Sequence, residues 1–399
     1  MHFEEAILAT FYSTNYVIYF AVLLYPFFPL IKQWNSLIGN ICELIIILLL
    51  FFLGFLDLSG KGIKIKTSLW ELAFFLFLLI YLIVNYDNLY DSLSGLRIFF
   101  FYICLFKVLN KRLNNKSLEV KYILKMCMLV TFVMSFGAIT QFVFPELITR
   151  FHPLDSLREL RSKSNYISFS FYNRAFSFMT DPNVLSVYLV FNYMLLKSFV
   201  KENFNNKYVI FFQMIVLTAI ILTQSRTGYI IFLCYILLDF MRERKEKKKL
   251  KRNNIIYLLI FLGVIFWGLI EFRDRILRFI RIDTLFNGNG RIIKTQNFLD
   301  DLFMQEPFNL FFGNGLTAGR EIIFENSYLL CIYMFGIAGA IIFLFLLIGN
   351  FNTAFKEKNF IATICFLLAN VVGDYLLIPQ VTMVVIIIWM YNNRKKWSN

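Results

Sequence analysis

The sequence predicts an all-α polytopic membrane protein with about 12 transmembrane helices. Of its 399 residues, 59% are hydrophobic and only 17% are charged. Soluble domains have roughly 45–50% apolar and about 25% charged residues, so the surplus of apolar side chains must face lipid. Phe alone occurs 49 times, which is more aromatic side chains than a water-soluble protein of this length could keep away from its surface.

Each predicted span is an apolar run close to the roughly 20 residues that a helix needs to cross about 30 Å of hydrocarbon. The last two runs are tightly spaced, with Pro379 and Gln380 at the turn between them, so eleven spans are the alternative to twelve. Residues 1–399 are interpreted as a single integral membrane domain. The runs lie near residues 11–31, 37–56, 68–85, 92–109, 122–143, 183–201, 207–224, 226–241, 254–271, 327–349, 360–378 and 380–392.

Basic residues predict the orientation, because Lys and Arg are enriched in cytoplasmic loops. The strongest anchor is the cytoplasmic basic loop 242–254, which begins RERKEKKKLKR. With that loop inside, both termini are cytoplasmic and two long loops, about 144–182 and 272–326, lie outside. Amphipathic stretches in these loops predict short interfacial helices.

The two sides of the membrane differ in the kind of basic residue they carry. Most basic residues predicted inside are Lys, whereas most of those predicted outside are Arg. The guanidinium group presents a planar fork that suits phosphate and carboxylate groups. The outer face is therefore predicted to bind an anionic group.

Composition also argues against several classes of partner. A net charge of +14 would suggest nucleic acid for a soluble protein, but here the topology accounts for the basic residues, and no nucleic acid is expected. The six Cys and two His show no metal-binding spacing. The adjacent Asp300 and Asp301 would point in different directions on a helix. Neither a metal nor a cofactor is expected.

Two polar stretches at the predicted outer boundary combine an Arg with a helix start. Arg174 precedes Asp181-Pro182-Asn183, which is typical of a helix N-terminus. Residues 223–228 read TQSRTG and join two spans with almost no loop, which places Ser225 and Arg226 near helix ends that attract anions. The alternatives are a plain helix start for Asn183 and a snorkelling interfacial side chain for Arg226.

Two further stretches belong to the second outer loop. Residues 287–291 read NGNGR, and the two glycines let the backbone approach a ligand closely beside Arg291. Residues 313–315 read GNG and are followed by Arg320. Residues 325–328 read ENSY and stand where the chain enters the 327–349 span.

In their order and setting, these four stretches resemble the bacterial O-antigen polymerase and O-antigen ligase family. In that family an Arg leads into a Pro-Asn helix start, and a Ser-Arg turn follows two helices later. A Gly-Arg pair then sits in the large outer loop, which closes with Gly-x-Gly, His-Asn-x-Tyr-Leu and Gly-x-x-Gly. The resemblance covers roughly residues 170–345. The matching residues are Arg174, Pro182, Asn183, Ser225, Arg226, Gly290, Arg291, Gly313, Asn314, Gly315, Asn326, Ser327, Tyr328, Leu329, Gly336 and Gly339.

The resemblance implies a fold like the C-type glycosyltransferase-like O-antigen ligase fold. It implies a metal-independent glycosyltransferase in the bacterial inner (plasma) membrane, with its active site on the periplasmic or outer face. The substrate would be an undecaprenyl-diphosphate-linked oligosaccharide, and the partners would be membrane lipid and a chain-length regulator protein. The implied catalytic residues are Glu325, Arg226 and Arg291. The implied substrate-binding residues are Arg174, Asn183, Ser225, Arg320, Asn326 and Tyr328.

Two other functions remain open. An O-antigen ligase, which joins glycan to lipid A-core, would share every motif, but the family's ligases carry His where this chain has Glu325, which favours the polymerase. A lipid-linked oligosaccharide flippase would place charges along a path in the middle of the membrane. Glu325 itself has two interpretations, a proton acceptor in the reaction or a cap that favours the helix dipole at 327–349.

The topology predicts which positions are accessible from outside the cell. In cells without an outer barrier, Ser164→Cys and Asn289→Cys proteins should react with a membrane-impermeant thiol reagent, whereas an Asn253→Cys protein should not. The reverse labelling pattern would overturn the orientation and, with it, every assignment of a site to the outer face.

Overall fold

A computed structural model describes most of the predicted membrane-spanning helices. The described residues are 15–59, 76–77, 79–83, 89–114, 119–144, 147, 150–153, 174–179, 181–203, 205–245, 300, 307–313, 326–350 and 359–394. The predicted span 254–271 lies outside these residues, as does the outer loop 272–326 apart from 300, 307–313 and 326. The predicted span 68–85 is described only in part.

The helices follow the order of the predicted apolar runs. They are α1 (Asn15–Trp34), α2 (Ser36–Ser59), α3 (Leu89–Asn114), α4 (Val120–Val143), α5 (Pro182–Asn203), α6 (Asn206–Leu222), α7 (Arg226–Lys245), α8 (Pro307–Phe312), α9 (Ser327–Asn350), α10 (Phe360–Val372) and α11 (Pro379–Arg394). Single-turn 3₁₀ segments occur at Tyr25–Phe27, within α1, and at Tyr375–Leu377, between α10 and α11.

Every regular element in this part of the chain is helical, which confirms the predicted all-α class. Three helical segments are long and apolar enough to cross a membrane, namely Asn15–Trp34, Ser36–Leu53 and Val120–Val143. The lipid-facing character of the second is visible in its exposed side chains, because Leu48 and Phe52 are each 55% exposed. The protein therefore has the features of a membrane protein, while the count of twelve spans stays a prediction.

Helix α5 forms the centre of the bundle. It packs against α4, α6, α7 and α11, and its residues 185–193 are all buried. Close approach to α7 is possible because Gly228 faces Ser186, and a side chain at Gly228 would overlap the Ser186 hydroxyl. The start of α5 and the start of α7, which carry two of the polar stretches, are thereby brought side by side.

The turn of the α10–α11 hairpin contacts α1, α3 and the start of α9. Helix α10 has 13 residues and, at about 1.5 Å per residue, spans about 20 Å, which is less than the hydrocarbon thickness of about 30 Å. The Tyr102 hydroxyl, halfway along α3, donates to the Leu376 carbonyl at 2.7 Å. The Gln380 amide donates to the carbonyl of Tyr25, near the middle of α1, at 3.4 Å. The hairpin turn, residues 373–378, is therefore held by side chains of distant helices.

Two glycines of the fourth stretch meet backbone to backbone. Gly336 interrupts α9 with φ 69° and ψ 178°, and Gly313 has φ 87°. A side chain at Gly336 would overlap the carbonyl of Phe311, and one at Gly313 would overlap the carbonyl of Met334. Helix α8, which belongs to the predicted outer loop, thus packs onto the break in α9, about ten residues inside that helix.

Replacing Gly336 with Ala should destabilise the protein strongly. The left-handed backbone at this position costs an L-residue roughly 1–2 kcal/mol, and the added methyl group overlaps the Phe311 carbonyl. We expect Gly336→Ala to lower the free energy of unfolding by at least about 2 kcal/mol, measured by thermal unfolding in detergent. Ile341→Ala, at a 47% exposed position of the same helix, is the control. Equal stability of the two variants would contradict the close contact.

Candidate functional site

Arg174 joins the start of α5 to the end of α6. Its Nε donates to the carbonyl of Thr223 at 2.9 Å, and its Nη2 donates to Oδ1 of Asn183 at 2.8 Å. The next residue also binds the end of α6, because the amide of Ala175 donates to the carbonyl of Leu222 at 3.0 Å. Arg174 thereby satisfies a carbonyl that the end of α6 would otherwise leave without a partner.

Asn183 connects this bridge to the second polar stretch. The hydroxyl of Ser225 donates to Oδ1 of Asn183 at 2.9 Å, so that one amide oxygen accepts from both Ser225 and Arg174. Ser225 Oγ also accepts from the amide of Gly228 at 3.2 Å, which caps the start of α7. Residues of two predicted stretches are therefore in direct contact.

The local sequence explains the backbone conformation at the start of α5 and in the turn before α7. Asp181 caps α5, because its Oδ1 accepts from the amides of Asn183 at 2.5 Å and Val184 at 3.4 Å. Gln224 has φ 49°, a left-handed conformation that closes the tight turn from α6 to α7. The plain helix-start interpretation thus accounts for Asp181, whereas the Asn183 side chain does more than start a helix.

Arg226 occupies the first position of α7 and is exposed, while Ser225 and Thr227 on either side are buried. A helix N-terminus carries the positive end of the helix dipole and backbone N–H groups that attract anions. The turn therefore presents a guanidinium group at an end of a helix that favours negative charge.

Burial affects the pKa of Arg174 but leaves its charge in place. Removal from solvent lowers the pKa of Arg174 from its ordinary 12.5, while the nearby Asp181 carboxylate and the hydroxyls of Tyr229 and Tyr375 act in the opposite direction. An Arg side chain stays protonated in proteins, so the guanidinium keeps its charge. The effect also places Tyr375, on the hairpin turn, near Arg174.

The fourth stretch binds the same hairpin turn. The amide and the hydroxyl of Ser327 both donate to the carbonyl of Gly373, at 3.2 Å and 2.9 Å. Its hydroxyl also lies 2.7 Å from Oδ1 of Asn370, and the Tyr328 hydroxyl donates to the Leu367 carbonyl at 3.1 Å. The start of α9 and the Arg174 bridge therefore flank one turn.

Asn326 is the cap of α9. Its Oδ1 accepts from the amides of Tyr328 at 3.0 Å and Leu329 at 3.2 Å. Asn326 and Tyr328, both predicted to bind substrate, thus have structural hydrogen bonds within the described residues. Asn326 therefore supplies a cap at this helix start, and both interpretations of Glu325 stay predictions.

Two supporting residues escaped the sequence analysis. Gln141 Oε1 accepts from the amides of Phe176 at 2.9 Å and Ser177 at 2.8 Å. His152 is 3% exposed, and its Nε2 lies 3.0 Å from the carbonyl of Ser177. Because a carbonyl can only accept, Nε2 carries the proton, and burial lowers the pKa of His152 below its ordinary 6.5. Of these two residues, only Gln141 could have been found from the sequence, because its amide lies inside an apolar run.

Three predicted site residues, Glu325, Arg291 and Arg320, lie outside the described residues, and their roles stay predictions. Within the described ranges, no group of three His, Cys, Asp or Glu side chains could hold a metal ion. No family model, no curated protein and no solved structure matches the chain. The resemblance therefore rests on the motifs alone.

The capping contacts predict different outcomes for two neighbouring substitutions. Asn326→Ala should lower the free energy of unfolding by about 1 kcal/mol, because two amides at the start of α9 lose their acceptor. Glu325→Gln should lower the free energy of unfolding by less than half of that amount. Thermal unfolding of the purified variants measures both, and an equal loss would show that Glu325 shares the cap.

Proposed function

We propose that the protein is an O-antigen, or related surface-polysaccharide, polymerase of the bacterial plasma membrane. It transfers glycan from an undecaprenyl diphosphate to a sugar hydroxyl of a lipid-linked repeat unit at the outer face. The contact of Arg174 and Ser225 with Asn183 is the observation that carries this proposal, because it joins two of the four motif stretches. The proposal includes the twelve-span layout and the ligase-like fold.

The two described arginines have different parts in this function. Arg174 uses Nε and Nη2 to hold the Thr223 carbonyl and Asn183, so it positions the turn that carries Arg226. Arg226 is exposed at the start of α7 and contacts the diphosphate. Charge-assisted hydrogen bonds from a planar guanidinium group suit two phosphate oxygens at once.

The reaction follows from these groups. The acceptor oxygen attacks the anomeric carbon, and the bond from that carbon to the diphosphate oxygen breaks. Arg226 and Arg291 stabilise the negative charge that develops on the departing diphosphate. The hydroxyl proton passes to a carboxylate, for which the sequence suggests Glu325, if partial desolvation raises its pKa towards neutrality. A Glu325→Gln protein that folds but does not transfer glycan would support this assignment.

The described buried acids favour a transferase over a flippase. Glu43 is 3% exposed and pairs with Lys32 at 2.5 Å, while Asp239 is 5% exposed and contacts Lys197 at 2.8 Å and Arg242 at 2.5 Å. Each of these two acids is thus paired with a basic side chain, whereas a translocation path needs charges that its substrate can reach. The ligase shares all the motifs and differs from a polymerase in its acceptor.

Arg226→Ala should reduce transfer at least about a hundredfold, because one donor to the developing charge is lost. Arg226→Lys should recover only part of the rate, since a point charge lacks the bidentate fork. The measurement is polymer formation in vitro by purified protein from its lipid-diphosphate repeat unit, resolved as a ladder of products.

The control for this experiment is Arg150→Ala, which removes another exposed Arg predicted to be outside. It should make polymer at the wild-type rate. Normal polymer from Arg226→Ala would remove Arg226 from the site. A wild-type protein that makes no ladder but joins glycan to lipid A-core would identify the ligase instead.

A further inference from the structure

His152 connects the segment that carries Arg174 to helix α1. Its Nε2 donates to the carbonyl of Ser177 at 3.0 Å, and its Nδ1 lies 2.8 Å from Oε1 of Gln33, in the last turn of α1. Half a turn of the Gln33 amide exchanges its oxygen and nitrogen, so this amide can donate to Nδ1 of a neutral ring. Both ring nitrogens therefore hold two distant segments of the chain together.

Aromatic side chains reinforce the same contact. The indole Nε1 of Trp34, at the end of α1, donates to the carbonyl of Phe151 at 2.6 Å. The ring of Phe178 packs between those of Phe151 and Phe27, with centroids 5.7 Å and 5.9 Å apart. Residues 174–179 are thus fixed against α1 as well as against the end of α6.

The backbone that His152 holds is strained at Ser177. This residue has φ 52°, a left-handed conformation that is unfavourable for an L-residue. Gln141 accepts from the amides of Phe176 and Ser177, while His152 binds the Ser177 carbonyl. Gly137 leaves room for the turn, because a side chain there would overlap the Ser177 hydroxyl. A strained conformation of this kind persists only where its surroundings fix it, and it is frequent at functional sites.

The Ser177 turn decides where Arg174 lies. An extended chain of nine residues would span about 30 Å, yet Nη2 of Arg174 lies 2.8 Å from Oδ1 of Asn183. The chain must therefore reverse between these two residues. Ser177 lies within this reversal, which the amide of Met179 closes by donating to the carbonyl of Phe176 at 2.9 Å.

We propose that His152 is a positioning residue of the candidate site: its uncharged imidazole holds the Ser177 turn and, through that turn, the contact of Arg174 with Asn183. His152 belongs to none of the four motif stretches. The inference rests on the proposed function, in which Arg174 positions the turn that carries Arg226.

The surroundings of the imidazole favour its neutral form. Its described contacts are with Gln33, with the Ser177 carbonyl and with the ring of Phe176, whose centroid is 5.0 Å away. Two acids lie on neighbouring elements, and both have partners, since Glu43 binds Lys32 and Asp181 caps α5. The charged residues described on α1, on α4, at 150–153 and at 174–179 are all basic, namely Lys32, Lys121, Lys125, Arg150 and Arg174.

Protonation of His152 therefore opposes the docked turn. Burial lowers the pKa of His152 below its ordinary 6.5, and the hydrogen bond to the Ser177 carbonyl opposes this effect only in part. A histidine of the unfolded chain takes up its proton near pH 6.5. The stabilisation by the neutral ring is thus complete above about pH 6.5 and is lost as the pH falls through the lower pKa of the folded state.

Two substitutions at this position separate the hydrogen bond from the proton. His152→Ala leaves the buried Ser177 carbonyl without its donor and should lower the rate of glycan transfer at least about tenfold at about pH 7.5. His152→Gln keeps an N–H donor and should recover most of this rate. Because Gln cannot take up a proton, the rate of His152→Gln relative to wild type should rise as the pH falls to about 5.

His2→Gln is the matched control, because it removes the other histidine of the sequence. It should follow the wild-type pH profile. A constant ratio of His152→Gln to wild type across this pH range would overturn the proposal, as would a wild-type rate of transfer by His152→Ala. Thermal unfolding identifies a His152→Ala protein that does not fold, and the pH profile of His152→Gln then decides.

A double variant tests whether His152 acts through Arg174. If it does, adding His152→Ala to an Arg174→Ala protein should lower the remaining rate by less than about twofold, because the contact that His152 holds is already lost. Losses that multiply would show that the two residues act independently, and the positioning role would be wrong.

The proposed function can fail separately. If the wild-type protein makes no product from the lipid-linked unit, the polymerase is excluded. Hydrogen–deuterium exchange of the Phe176 and Ser177 amides at about pH 7.5 still tests the turn. Exchange at least about tenfold faster in His152→Ala than in His152→Gln supports the hold on the turn, and equal exchange overturns it.

Discussion

The amide oxygen of Asn183 accepts hydrogen bonds from Arg174 and Ser225, and the arrangement of the candidate site depends on this shared acceptor. It connects the segment just before α5, the start of α5 and the turn before α7, the last of which is 42 residues further along the chain. An amide oxygen has two lone pairs, so both donors are satisfied at once without a charge on the acceptor. A carboxylate in its place would neutralise Arg174 and would reduce the positive potential around Arg226.

The sequence predicted those features that depend on local chemistry. Apolar length predicted the helices, Asp181-Pro182 predicted the start of α5, and the short polar stretch TQSRTG predicted a turn from α6 to α7. Arg174, Asn183 and Ser225, which the resemblance names as substrate-binding residues, are in contact. These successes share a cause, since capping, turn formation and hydrophobic length are decided by a few neighbouring residues.

The parts that were missed depend on contacts between distant segments. Nothing in the neighbourhood of His152 indicates that its imidazole will reach Ser177, and nothing near Gly313 names Gly336 as its partner. The position of the hairpin turn also depends on three helices together. Apolar length predicted a span ending near residue 378, but it gave no sign of the hydrogen bonds that Tyr102 and Gln380 donate to the Leu376 and Tyr25 carbonyls.

The shortness of the α10–α11 hairpin bears on how the protein meets different membranes. A lipid-facing helix shorter than the bilayer must be accommodated by thinning of the lipid or by tilting, at a cost that varies with lipid composition. Residues 380–390 of α11 are all buried, so protein rather than lipid surrounds this helix. The longer α2, with its exposed apolar side chains, is the helix that adapts to lipid. Protein packing therefore insulates α11 from changes in membrane thickness, whereas α10 exposes apolar side chains such as Val371.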